Sequence, residues 1–215
     1  MAKPLFRLYL ITDRNQIHRE LVELTGGRDS IDVVKEALQG GVTAVQLREK
    51  DLPIRELLKL AEDMRKITKD SGAMLFINGR IDVAMAVGAD GIHLGQTDLP
   101  VDVVRKIVGN RFMIGVSTHN LKEAKEAEEK GADFITFGPV YETPAKLKYG
   151  KPVGVNALKE IKNGISIPVY AIGGIKSGDI KPILATGANG VAVISAIIGA
   201  KEPKKAAEEI IRSIQ

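Results

Sequence analysis

Several short apolar runs in this chain end in residue types suited to holding anions. Gly173-Gly174 closes the run that begins at Val169, and Ser195-Ala196 follows the run 191–194. Small residues there leave backbone amides open to an oxyanion, and a following helix adds the positive end of its dipole. A tight turn explains one Gly-Gly equally well; two adjacent strands ending this way favour a phosphate cradle. Gln46, Arg48 and Lys50 are spaced by two, so an extended backbone points all three the same way. Lys50 alone reads as a loop charge, but Gln46 belongs to a strand expected to be buried on both faces. Asn78 ends another run and suits a helix cap or a ligand in a polar ring. Asp98, in Gln96-Thr97-Asp98, suits a cap or a divalent cation. Ser117 carries a fifth run onward toward Asn120, the natural cap of the next helix, and His119 between them reads on its own as structural.

The loop 139–151 holds two prolines, two tyrosines, Thr143 and three lysines, among them Lys146. Loops of this length are usually functional or disordered. Here the composition reads as a lid that brings cations over an anionic ligand, or as a disordered basic loop. With Arg48, Lys50 and Lys146, the site has more positive capacity than one phosphate needs. Two anionic groups are expected, one in the glycine cradle and one beside Asp98. No Ser-His-Asp set or carboxylate pair stands out, so triad and glycosidase chemistry are not supported. Electrostatic help to a departing anion suits these residues better.

Eight strands are needed to bring these groups together. Apolar or β-branched runs occur at 5–11, 42–47, 74–77, 92–94, 112–116, 134–137, from 169, and 191–194. Helical patterns alternate with them, including 31–39 behind Ser30 as N-cap, 53–70, 81–87, 121–130 and 203–214. A helix, a glycine and a short apolar strand recur in that order at Gly41, Gly88, Gly131 and Gly187, at unequal spacing. That pattern predicts closed βα units, a single-domain (β/α)8 TIM barrel spanning residues 1–215, with an open doubly wound sheet as the alternative. In a barrel the strand ends share one mouth, so the residues named above belong to one site.

Composition narrows the function. The chain has 215 residues, a net charge of +4, 44% hydrophobic and 27% charged residues. Lys and Glu interleave along the helices, so most charge is solvated surface. Five Phe and four Tyr, scattered and with no Trp, give no stacking platform for nucleic acid. The absence of cysteine excludes disulfides and thiolate chemistry. The first residues are too charged for a signal peptide, and no apolar stretch reaches membrane-span length, so a cytoplasmic protein without membrane contact is expected. Oligomeric state is not readable.

The motifs LYLITDR, VQLREK, FINGR with GADGIHLGQTDLP, IGVSTHN, GPVYETPAK, and AIGGI with VAVISAI follow one another over nearly the whole chain. Together they resemble the thiamine phosphate synthase family. The resemblance implies a (β/α)8 barrel that joins hydroxymethylpyrimidine diphosphate to hydroxyethylthiazole phosphate, giving thiamine phosphate and pyrophosphate. It implies that Gln46, Arg48 and Lys50 hold the pyrimidine diphosphate, with Asn78 on the aminopyrimidine and Ser117 beside it. Asp98 falls on a family Mg2+ ligand. Thr143 is implied on the thiazole phosphate and Lys146 on the diphosphate, while Gly174, Ile194 and Ser195 fall on the thiazole phosphate cradle. The implied route is dissociative: pyrophosphate leaves first, assisted by Mg2+, Arg48, Lys50 and Lys146, with Ser117 also in the catalytic set.

Two positions depart from the family pattern. Gly79 stands where synthases usually carry a second carboxylate for magnesium, and Ala145 replaces the second threonine of the lid motif. Asn78-Gly79 also resembles the sister group, thiazole tautomerase, in which the position of His119 is catalytic. The intact run from Gln46 to Lys50, with Gln96-Thr97-Asp98, favours the synthase, because a tautomerase has no diphosphate to hold. A barrel that binds thiazole phosphate without catalysis is the remaining alternative.

Overall fold

Eight parallel strands close on themselves, each hydrogen-bonded to its sequence neighbours, with β1 also paired to β8. The computed structural model describes residues 6–17, 29–143 and 152–215. In chain order the strands and α-helices are β1 (Leu8–Ile11), α1 (Ser30–Gln39), β2 (Ala44–Leu47), α2 (Ile54–Asp70), β3 (Met74–Asn78), α3 (Ile81–Val87), β4 (Gly91–Leu94), α4 (Val101–Val108), β5 (Met113–Thr118), α5 (Leu121–Glu129), β6 (Phe134–Phe137), α6 (Gly154–Gly164), β7 (Val169–Ile172), α7 (Ile180–Ala185), β8 (Gly190–Val193), α8 (Ser195–Ile198) and α9 (Pro203–Ile214). The expected (β/α)8 barrel is therefore the observed fold, and the doubly wound alternative is excluded by closure.

The recurring glycine signature has a physical basis at the base of the barrel. The polar residue before each of β4, β6 and β8 accepts an amide hydrogen from the strand before it. Asp90 accepts from Leu75 N at 2.7 Å, Asp133 from Ile114 N at 2.6 Å, and Asn189 from Val169 N at 2.9 Å. Backbone donors at strand starts must find partners, and these side chains supply them. Arg65 and Arg105 approach Asp90 and Asp133 at 2.5 Å, which compensates the partly buried carboxylates.

Strand alternation then separates two cores. Outward residues such as Val45, Leu75, Ile92, Ile114 and Val191 pack against helix faces that include Val34, Ala61, Val104 and Ile183. Inward residues form a second cluster around Phe6, Tyr9, Phe76, Phe134 and Tyr170. Gly91 and Gly115 make room for it: a Cβ on Gly91 would overlap the Phe76 ring, and one on Gly115 would overlap Phe134 and stand 2.6 Å from His93 Nδ1.

Some boundaries differ from the sequence reading. Asp29, not Ser30, caps α1, accepting from Ile31 N and Asp32 N at 2.8 and 3.0 Å. Strand β5 continues through Ser117 and Thr118, because Ser117 and Thr118 pair with Thr136 and Phe137 of β6. Asn120 caps α5 as expected, its Oδ1 accepting from Glu123 N at 2.9 Å. Among the described residues no helix is long and apolar enough to cross a membrane.

Removing the Asp133 carboxylate leaves the Ile114 amide unpaired and Arg105 without its anion. Asp133→Ala is expected to lower unfolding stability by about 2–3 kcal/mol, read from urea denaturation. Asp133→Asn, which keeps an acceptor, is expected to lose about half as much.

Candidate active site

The strand ends open into a cavity of about 390 Å³ at the C-terminal mouth of the barrel. Its wall brings together Gln46, Arg48, Lys50, Asn78, Ser117, Thr143, Gly174, Ile194 and Ser195, residues from opposite ends of the sequence. Asn78 caps no helix: α3 has Arg80 at its cap position and no side-chain cap bond. Asp98 also caps none, since α4 follows Pro100 without one. Instead Asp98 Oδ2 accepts from Gly95 N at 2.7 Å, beside the wall residues Gly95, Gln96 and Thr97. Its Oδ1 lies 3.0 Å from the point a Cβ on Gly79 would occupy, so the two positions for which the resemblance implies magnesium are neighbours in space. Gly79 has φ +66°, a conformation that disfavours a side chain. Lys146 and Ala145 lie outside the described residues.

The expected cradle lies where one loop is zipped onto another. Val140 N donates to Ile172 O at 2.9 Å and Tyr141 N to Gly173 O at 3.0 Å, which holds the start of the loop after β6 against the end of β7. Gly174, at φ +66°, packs so closely that an added Cβ would stand 2.9 Å from Tyr141 Cβ. Only glycine satisfies both the backbone angle and the contact. On the adjacent strand, β8, Ser195 begins α8, where amide hydrogens have no intrahelical acceptor.

The two cations just after β2 are separated by a buried acid. Gln46 and the flanking Arg48 and Lys50 reach the cavity, whereas Glu49 turns the other way and is only 5% exposed. Both Glu49 oxygens accept from Arg14 N at 3.2 Å, and Thr12 Oγ1 accepts from Arg48 N at 3.0 Å. Arg14 in turn grips Asp51 through two bonds of 2.9 Å, while its guanidinium stays 3.6 Å from Glu49. The loops after β1 and β2 are thereby locked together on either side of Arg48. Burial pushes the Glu49 carboxyl above its ordinary value, outweighing the bonds from Thr12 and Arg14.

Beneath the mouth lies a polar layer that the sequence reading did not single out. His93, 1% exposed, is 3.0 Å from Ser117 Oγ through Nε2 and 3.4 Å from Tyr9 OH through Nδ1. Gln46 Nε2 donates to the same phenol oxygen at 3.1 Å. The signal for His93 was its place in the strand: two residues after Gly91, it must face inward. His119 also borders the cavity, its Nδ1 3.0 Å from Glu123 Oε2.

The thiamine monophosphate synthase family model matches residues 8–197 of this chain. The chain belongs to the thiamine monophosphate synthase family. It is 45% identical to the thiamine-phosphate synthase of Moorella thermoacetica over 87% of this chain and 90% of that protein. It is 43% identical to the thiamine-phosphate synthase of Pyrococcus horikoshii over 99% of this chain and 97% of the relative. The solved thiamine phosphate pyrophosphorylase of Pyrococcus furiosus superposes with a TM-score of 0.86 at 39% identity, covering 97% of this chain and 95% of that one. In this family member the cavity wall holds Arg48 and Lys50 after β2 and Gly173 and Gly174 after β7, and Gly79 stands beside Asp98.

The raised Glu49 carboxyl sets a slope in stability. Because the folded chain holds this proton more tightly, folding takes up a proton between the ordinary value of 4.5 and the raised one. Stability from this group therefore falls as pH rises through that window. Glu49→Gln cannot titrate, and urea midpoints from pH 4.5 to 7 are expected to show a flatter decline than in the parent protein.

Proposed function

We propose that the protein is a thiamine phosphate synthase, coupling the pyrimidine diphosphate to the thiazole phosphate at this mouth. The observation that carries the reading is one cavity with two regions whose residues suit anions. Gln46, Arg48 and Lys50 stand at one, and the backbone around Gly174 and Ser195 at the other. Its volume is within the usual range for a small-molecule site. Family membership supports the substrate pair.

In this reading Gln46, Arg48 and Lys50 hold the diphosphate arm, and Asn78 meets the aminopyrimidine beside Ser117. The thiazole phosphate sits on the amides of Gly174 and Ser195 against Ile194, with Thr143 over it. The bond from the pyrimidine methylene to the diphosphate oxygen breaks, and its electron pair leaves with pyrophosphate. The thiazole nitrogen then forms the new bond to that methylene carbon. Arg48, Lys50 and Lys146 stabilise the departing charge without forming a covalent intermediate.

Magnesium belongs to the same proposal. Asp98 fits a cation that takes one carboxylate and draws its other ligands from diphosphate and water. Among the described residues no group of three or more His, Asp or Glu side chains forms a protein cage. When bound, the ion would neutralise diphosphate charge.

The test is release of pyrophosphate in step with thiamine phosphate when both substrates and magnesium are supplied. Arg48→Ala is expected to lower turnover by about 100-fold or more. Asp98→Asn is expected to raise the magnesium concentration for half-maximal rate by about 10-fold. Isomerisation of a thiazole carboxylate phosphate with no pyrophosphate release at any magnesium concentration would replace this reading with a tautomerase.

A further inference from the structure

We propose that His93 is a positioning residue that fixes Ser117 as a hydrogen-bond donor to the pyrimidine diphosphate, through a buried chain running Gln46, Tyr9, His93, Ser117. The proposal rests on the synthase reading for the identity of the acceptor, but the direction of the chain is a property of the protein alone.

The direction is assigned from the amide donor at the Gln46 end. A phenol oxygen carries one hydrogen, and Tyr9 OH receives one from Gln46 Nε2 at 3.1 Å. Its own hydrogen is then available to His93 Nδ1 at 3.4 Å. Burial raises the Tyr9 pKa well above its ordinary value, so the phenol remains a donor at working pH. With Nδ1 accepting, the ring proton resides on Nε2 and is given to Ser117 Oγ at 3.0 Å. Thr136 Oγ1 lies 3.4 Å from the same Nε2 and 3.5 Å from Ser117 Oγ, so a second hydroxyl crowds the serine oxygen from beneath. Ser117 lines the cavity and is partly exposed, and its own hydrogen is left to point into the mouth. A donor there meets either a ring nitrogen of the pyrimidine or an oxygen of the leaving diphosphate.

The packing holds the imidazole in this role. His93 faces Gly115 across the β4–β5 pairing, and a Cβ on Gly115 would stand 2.6 Å from Nδ1. Phe134 and Tyr9 flank the ring at centroid distances of 5.8 and 5.7 Å. The ring therefore has little freedom to turn over and exchange its two nitrogens. A reversed Gln46 amide would run the whole chain the other way, with Ser117 giving its hydrogen to His93 and presenting only a lone pair to the cavity.

The deciding measurement is nitrogen NMR of ¹⁵N-histidine-labelled protein, without substrate. The sequence has three histidines, so His18→Asn and His119→Asn leave the His93 signals assigned. A protonated Nε2 with a bare Nδ1 is expected. A protonated Nδ1 with a bare Nε2, or protons on both nitrogens, overturns the proposal whatever the protein catalyses. The kinetic counterpart is a double-mutant cycle. His93→Leu and Ser117→Ala are each expected to lower kcat by about 100-fold with KM changed less than about threefold. The double variant is expected to be no slower than Ser117→Ala, because both remove the same donor. His93→Gln, whose amide reaches toward the Nε2 position, is expected to recover about a tenth of the parent rate. Multiplying losses, or a His93→Leu effect confined to KM, would overturn the role. Should His93→Leu fail to fold, the NMR result and the His93→Gln comparison decide it.

Discussion

Five aromatic rings close the lower half of the barrel, and the site above depends on that closure. Phe6 lies 4.5 Å from Tyr170, nearly stacked, and 5.4 Å from Phe134, edge to face; Phe76 and Phe134 meet at 5.4 Å, again edge to face. A barrel packed in this way admits no water from below. Gln46, His93 and Thr136 can then be buried only if they satisfy one another, because an unpaired polar group in such a place costs about 1–3 kcal/mol. None of the described buried side-chain polar atoms lacks a partner. The aromatic floor thus turns the layer above it into a fully bonded network, and the network in turn orients the groups that face the cavity.

Strand geometry explains how a cationic wall coexists with a buried acid. Side chains alternate across β2 and its extension, so Arg48 and Lys50 can face the mouth only if Glu49 faces away. The space it enters is filled by the loop after β1, which supplies Thr12 and the Arg14 amide. Arg14 is pulled toward Asp51 rather than fully onto Glu49, and this geometry leaves desolvation the larger effect on the Glu49 carboxyl. The charge of Glu49 is therefore spent on loop geometry, while the two cations remain available to a ligand. An acid placed one position earlier or later would face the cavity directly beside these cations.

The barrel was legible because its repeated glycine signature coincides with a repeated bonding pattern, in which Asp90, Asp133 and Asn189 each hold the preceding strand. Gln46, Arg48, Lys50, Asn78, Ser117 and Gly174 were legible as residues out of place at strand ends, although only closure of the barrel puts them in one wall. Less legible were features that depend on distant partners. Helix α6 starts at Gly154 behind Val153 with no side-chain cap bond, so no local start signal marks it. His93 sits in Gly91-Ile92-His93-Leu94, which reads as an ordinary apolar strand with one polar residue. Its partners come from β1, β5 and β6, and no local pattern encodes them. The aromatic residues scattered at 6, 9, 76, 134 and 170 likewise become one cluster only in three dimensions.

A serine 3.0 Å from a histidine ring invites comparison with a hydrolytic nucleophile and its base. The difference lies on the far side of the ring. In a hydrolase triad a carboxylate accepts from Nδ1–H, which leaves Nε2 bare and able to take the serine proton. Here a phenol kept protonated by burial faces Nδ1, and the same logic places the ring proton on Nε2. The serine is then held as a donor and cannot be activated as a nucleophile by its neighbour. Gln46, Arg48, Lys50 and the cradle amides add further donors and cations to the same cavity. In the proposed reaction a wall of that polarity would lower the energy of the leaving negative charge, with no need to make a bond of its own.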